Sequence, residues 1–174
     1  VDPNTLVCQL ADTSPPVLTV PTAVTADATS PQGAVVSYQA SATDNVDPNP
    51  AVACAPPSGS TFPIGTTAVT CTATDAAGNS ASATFQVNVR GAADQLSDLI
   101  NEVQSINAKQ GVVNSLDAKL QAVQDALNAA NAGNRADACN KLDAFINEVQ
   151  AQAGNAITVD QANELIADAN RIKA

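Results

Sequence analysis

At 174 residues the chain can hold one large domain or two small ones, and 17 acidic against 7 basic residues leave a formal charge of −10. No Lys/Arg cluster interrupts that charge, which argues against nucleic acid and anionic lipid as partners, since both need a positive patch. Histidine is absent, so zinc sites and catalytic triads lose their usual nitrogen, and no apolar run approaches the length of a membrane span.

The charge is spread evenly: six acids and one base in residues 1–90, eleven acids and six bases in 91–174. Such a surface suits a secreted protein in a medium containing divalent cations. A chain that opens at Val1 and contains no methionine is expected to be a mature form or a fragment, its signal already removed. Four cysteines without a CxxC spacing point to an oxidising compartment rather than to a metal or redox site.

In chain order, the first half reads as strands. All ten prolines fall before Arg90, among Val, Thr and Ser. Leu18–Val20 and Ala23–Ala26 are short candidates. In AVVSYQASATD, Val36, Tyr38, Ala40 and Ala42 share one face, while Ser37, Gln39 and Ser41 share the other. Val52–Cys54 and Thr61–Phe62 are short again. In TAVTCTATD the inward row is Val69, Cys71 and Ala73; in SATFQVNV it is Phe85, Val87 and Val89. Six or seven short strands in about ninety residues suggest a β-sandwich of immunoglobulin size, and the missing tryptophan separates it from antibody domains.

At Arg90-Gly91 the period changes, and this is the expected domain joint. Four apolar sets at helical spacing follow: Leu96/Leu99/Ile100/Val103/Ile106, Leu116/Leu120/Val123/Leu127, Leu142/Phe145/Ile146/Val149 and Leu165/Ile166/Ala169/Ile172. Gly111, Gly133 and Gly154 are read as stops of the first three helices, Asn114 as a cap of the second, and Thr158 with Gln161 as a capping box of the fourth. The expected architecture is an N-terminal segment over 1–10, an all-β immunoglobulin-like sandwich over 11–90 and an all-α four-helix bundle over 91–174.

Cys54 and Cys71 both occupy inward rows, so a bridge between them would close a loop of ordinary size, stabilising by about 3 kcal/mol. Cys139 lies on the apolar face of the third helix, three residues before Leu142. It reads either as a buried thiol acting as a hydrophobe or as the partner of Cys8, clamping the N-terminal segment to the bundle. Cys8 could instead pair with something upstream.

The run from Asp12 (DTSPPVLTVP), through ATDNVDP at Asp44 to Pro48, to VACAPPSGSTFPIGTTAVTCTATDAAGNSASATFQVNV over Val52 to Val89 resembles the hyalin repeat (HYR) family of extracellular immunoglobulin-like modules. The resemblance spans nearly all of 11–90. It implies pairing of Cys54 with Cys71, and adhesion or protein–protein contact without catalysis. The second half, through NSLDAKLQAVQDAL, ACNKLDAFINEVQAQAGNAIT and QANELIADANRI, resembles FIMAH, a helical module at the C-terminal end of secreted bacterial proteins. That likeness implies a partner for Cys139 after the last helix, but no cysteine follows Cys139 as far as Ala174.

Asp12, Asp44, Asn45, Asp47 and Asp75, with Asn79 nearby, are the candidate oxygen ligands. Calcium takes six to eight oxygens, and DNVDP and DAAGN both follow inward-facing strands. The same residues serve equally as turn formers that bond their own backbone. Ser58 in PPSGS has no histidine to activate it and suits a turn. Asp94, Asp98 and Glu102, spaced i,i+4, are expected to be solvated. The amide-rich face of Asn101, Gln104, Gln121, Gln124, Asn128, Asn131, Gln150 and Gln152 reads either as a neutral solvated face or as a weakly charged docking face for another protein or a glycan.

The function expected from the sequence is a non-enzymatic adhesion or scaffolding module, secreted and placed at a bacterial cell surface. Its expected partner is an extracellular protein or glycan, or further copies of itself. It requires no cofactor, calcium being the one candidate, and inserts in no membrane. The alternatives are a subunit of an extracellular filament or surface layer, and a C-terminal accessory fragment of a secreted hydrolase.

Overall fold

The computed structural model describes residues 11–129 and 134–174. Eight strands precede four helices: β1 (Val17–Thr19), β2 (Ala23–Asp27), β3 (Ala34–Val36), β4 (Ser41–Thr43), β5 (Ala51–Ala55), β6 (Ser60–Phe62), β7 (Gly65–Thr74), β8 (Ser80–Arg90), then α1 (Ala92–Ser105), α2 (Gln110–Asn128), α3 (Asn134–Gln152) and α4 (Val159–Lys173). The fold is the expected β-sandwich followed by four helices.

One sheet has the order β2-β8-β7-β5, and the pairs β1-β4 and β3-β6 form smaller sheets. Val36, Phe62, Val69, Cys71, Ala73, Phe85 and Val87 are buried in the sandwich, where full burial of a large side chain stabilises by about 1.5–3 kcal/mol. Without tryptophan, the aromatic contact comes from Tyr38 and Phe85, edge to face with ring centroids 4.9 Å apart. Alternation explains the inward rows of β7 and β8, because successive side chains point to opposite faces.

The expected run from Val36 to Ala42 is broken. Residues 37–40 keep the alternation of burial but belong to no strand, so β3 and β4 are separate. The cause lies at Ser58: its hydroxyl accepts from Tyr38 N at 2.9 Å and donates to Tyr38 O at 2.8 Å. A side chain thus satisfies the backbone groups that a neighbouring strand would otherwise take.

By residue contacts the chain divides into two compact units, the second comprising residues 26–34, 63–65 and 89–174. Its core unites Leu96, Leu99 and Val103 of α1 with Val113, Leu116, Leu120 and Val123 of α2, Leu142, Phe145 and Val149 of α3, and Leu165 and Ala169 of α4. Ile106, Leu127, Ile166 and Ile172 pack at its margin, only partly buried.

Two helix boundaries differ from expectation. Gly111 does not end the first helix and Asn114 does not cap the second: α1 stops at Ser105, and both residues lie inside α2, which is capped at Lys109. Val112 N and Val113 N bond Lys109 O at 2.8 and 3.3 Å, closing the first turn around the glycine. Burial of Val113 rewards the earlier start, and a first-turn amide lacks an intrahelical acceptor whatever its side chain. Gly133 lies outside the described residues. Gly154, at φ +72°, follows α3 as expected. The capping box of α4 is complete: Gln161 N donates to Thr158 Oγ1 at 3.1 Å, and Thr158 N to Gln161 Oε1 at 2.9 Å.

Candidate functional site

The acidic residues singled out from the sequence separate into two groups. Carboxylate oxygens of Asp12, Asp44 and Asp75 all lie within 4.8 Å of one another. Asp12 precedes β1, Asp44 follows β4 and Asp75 follows β7, so three loops converge. Asp47 is engaged differently: Oδ2 accepts from Ala76 N and Oδ1 from Asn49 N, each at 2.9 Å, which ties the DNVDP turn to the DAAGN turn. Asn45 is exposed and its backbone N–H supports Asp44.

Each of the three carboxylates also shapes its own loop. Asp44 Oδ1 accepts from Val46 N and Asp47 N, both at 2.9 Å, and Asp12 Oδ1 from Ser14 N at 3.1 Å. Asp75 is buried, with 7 % of its surface exposed, and Asn79 holds both of its oxygens, N to Oδ1 at 2.8 Å and Nδ2 to Oδ2 at 2.9 Å. Asn79 Nδ2 also donates to the Asp12 carbonyl at 3.1 Å, joining the N-terminal approach to the β7–β8 turn. Gly78, at φ +93°, gives that turn a conformation that side chains with a Cβ rarely adopt.

Electrostatically the cluster is held by dipoles. No ion pair among the described residues includes Asp12, Asp44 or Asp75. The backbone N–H groups of Asp47 and Val46, in that order, draw the Asp44 carboxyl below its usual value. Chemically, three carboxylate groups at this separation can brace loops or contribute oxygens to a hard-cation shell.

Cys54 and Cys71 form the expected disulfide. They are directly opposite in the antiparallel register of β5 and β7, with Cα atoms 4.0 Å apart. Cys139 is half-buried rather than on the buried row, because Ala138 takes the position that packs with Leu142 and Phe145. It has no disulfide partner among the described residues, and Cys8 lies outside them.

Beside β5 an open groove of about 900 Å³ is lined by Thr19, Pro21, Tyr38, Gln39, Val52 and Ser58, among others. Tyr38 is the one free titratable side chain among its described lining residues. Burial pushes that phenol up, and its hydroxyl donates to the Pro56 carbonyl. Ser58 is occupied by Tyr38, as described above, which is a bracing role.

The helical unit contains two features that the sequence reading missed or misjudged. Gln95 is buried, with Nε2 donating to Ala28 O and Arg90 O, each at 3.2 Å, and Oε1 accepting from Arg171 Nε at 3.1 Å. Its signal was a polar residue adjoining Leu96 and Leu99 on the apolar side of α1. Glu102, expected to be solvated, is half-buried instead. Desolvation raises its carboxyl first, and the charge of Asp168 on α4 raises it further. Asp94 and Asp98 are exposed as expected, and Asp98 pairs with Arg90. Of the amides, Asn101, Gln104, Gln121, Asn128 and Gln150 are exposed, Gln124 and Gln152 half-buried, and Asn131 outside the described residues.

No described helix is long and apolar enough to cross a membrane. No curated protein matches the chain. Residues 11–89 match the family model of the HYR domain, an immunoglobulin-like, adhesion-type module that is generally extracellular.

Proposed function

We propose that this protein is a non-catalytic extracellular adhesion or scaffolding module that works through protein–protein contacts at a bacterial cell surface. The observation that carries the reading is the HYR match over residues 11–89. A disulfide in a sheet whose charges are confined to its ends and loops fits the same setting. The helices Ala92–Lys173 act as the accompanying module, in keeping with the FIMAH-like runs of their sequence. Adhesion under flow tests the reading: surfaces coated with the full chain should hold cells or matrix of the producing organism better than surfaces coated with an unrelated acidic protein. Equal detachment from both surfaces counts against it.

A second reading concerns the acidic pole. We propose that Asp12, Asp44 and Asp75 contribute oxygens to a calcium ion that stiffens the three loops. Their separation within 4.8 Å, with no cationic side chain paired to any of them among the described residues, supports it. Melting with calcium and with chelator, described below, tests it.

A further inference from the structure

The strand β5 ends the order β2-β8-β7-β5, so among the described residues no strand pairs with its outer edge. Val52, Ala53 and Cys54 all line the groove of about 900 Å³. Successive side chains of a strand point to opposite faces, so a groove lined by three in a row follows the edge of the sheet. Backbone groups along such an edge are open to a further strand, and proteins generally cover them. The inner layer stops short at the same place. Ala73 and Cys71 of β7 are fully buried, yet Val52 and Cys54, their register partners on β5, are only half-buried. Val20, Tyr38 and Ala40, which also line the groove, are half-buried too. The sandwich thus lacks one apolar row at this edge, and no lining residue carries a charge at neutral pH.

Sequence and chain path select what fills it. Of the residues outside the described ones, 1–10 and 130–133, only Thr5–Leu10 (TLVCQL) is uncharged and long enough to match the five residues of β5. It alternates: Leu6, Cys8 and Leu10 form an apolar row, with Thr5, Val7 and Gln9 between them. The path shows which copy supplies it. Asn79 Nδ2 bonds both the Asp12 carbonyl, at 3.1 Å, and Asp75 Oδ2, at 2.9 Å. Asp75 follows Thr74, and Thr74 pairs with Ala51 at the start of β5. Leu10 is therefore tethered, through Ala11, at the end of the sandwich where β5 begins. Running back from there, six residues cover about 20 Å, enough to pass the strand, in a direction antiparallel to it. So short a tether presents the segment to the groove at a roughly millimolar effective concentration, ahead of a second copy in dilute solution.

We infer that the groove beside β5 is the seat of the chain's own segment Thr5–Leu10, added as an antiparallel strand with Leu6, Cys8 and Leu10 turned towards the row of Val52 and Cys54. The added strand takes up the open backbone groups of β5 and supplies the missing apolar row. It also closes an edge on which another chain could otherwise pair. The inference goes beyond the adhesion reading and does not depend on it, so either can fail alone.

Residue-resolved amide hydrogen exchange of the 174-residue chain, in dilute solution and at increasing concentration, tests it. Amides of Thr5–Leu10 and of β5 should exchange at least tenfold more slowly in the wild type than in the double variant Leu6→Asp with Leu10→Asp. Both substitutions lie outside the described fold, and α3 should keep its exchange rates in the variant. A free peptide of residues 1–11 carrying Cys8→Ser, added at millimolar concentration, should slow β5 in the double variant and leave the wild type unchanged. Fast exchange throughout Thr5–Leu10 in the wild type overturns the inference, as do equal β5 rates in wild type and variant. Failure of the peptide to slow β5 in the variant overturns it too. Protection that appears only as concentration and mass rise together also overturns it, because the segment then comes from a second copy.

Discussion

Gln95 Nε2 donates to the backbone carbonyl of Ala28, 67 positions earlier in the chain, at a distance of 3.2 Å. Both residues belong to the same compact unit, which takes in the segment 26–34 with the helices. Asp27 is ion-paired with Arg90 at 2.7 Å and with Arg171 at 3.5 Å, and Arg171 also reaches Gln95. A buried amide with its donors and acceptor all engaged fixes one arrangement of these elements, and an unmet group there would be costly.

Gln95→Leu should therefore destabilise the protein by about 1–3 kcal/mol, despite the better hydrophobicity, because the carbonyls of Ala28 and Arg90 and the Arg171 guanidinium lose a partner. Denaturant unfolding of the variant against wild type reads this directly. An unchanged midpoint would show that water replaces the amide without cost.

Glu102 should respond to pH in the opposite sense to Asp44 and Glu148. Its folded carboxyl is raised, by desolvation and then by Asp168, so the folded state holds the proton more tightly than the unfolded one. Its stabilising contribution is complete below the unfolded value of about 4.3 and is lost as pH rises through the folded value. Glu102→Gln should accordingly raise the melting temperature at neutral pH and lose that advantage in acid. Asp44 and Glu148 are lowered, the latter chiefly by Lys119 at 2.5 Å, so they stabilise above their unfolded values and cease to do so as pH falls through the folded ones. Melting curves of the variant and wild type across pH 3–8 check both signs, with that range marking roughly the carboxylate titration region.

Removing the disulfide should cost about 3 kcal/mol by the loop-entropy estimate for a closure of this size, since 17 positions separate Cys54 from Cys71. Cys54→Ala with Cys71→Ala is the measured form. The loss should appear as a lower unfolding midpoint for the sandwich, with the helical far-ultraviolet signal retained at temperatures where the strands have melted.

Calcium, if it binds at Asp12, Asp44 and Asp75, should raise the melting temperature, by the equivalent of about 2.7 kcal/mol at a hundredfold excess over Kd. Chelator should reverse the gain, and Asp44→Asn should abolish it. Unchanged melting in millimolar calcium would leave the three carboxylates with loop bracing alone.

Much of the fold is legible because burial repeats with period two in Val69, Cys71 and Ala73 and at helical spacing in Leu96, Leu99, Ile100 and Val103. The Thr158–Gln161 box was legible for the same reason: both its bonds are local. The split between β3 and β4 was not, because Ser58 reaches Tyr38 across 20 positions. Gly111 and Asn114 misled because the burial of Val113 decides where α2 starts. At the acidic pole, the sequence supplied Asp12, Asp44 and Asp75, but their separation from Asp47 depends on which backbone amide each carboxylate meets. Gln95 and Glu102 are the general case: a polar residue's role depends on which distant group burial places beside it.

The reading of this chain as an extracellular contact module is tested most directly by binding of the labelled 174-residue chain to cells and matrix of the producing organism. A contact module should give a saturable isotherm that excess unlabelled chain competes away. Binding that is non-saturable, or that unlabelled chain fails to displace, would contradict it.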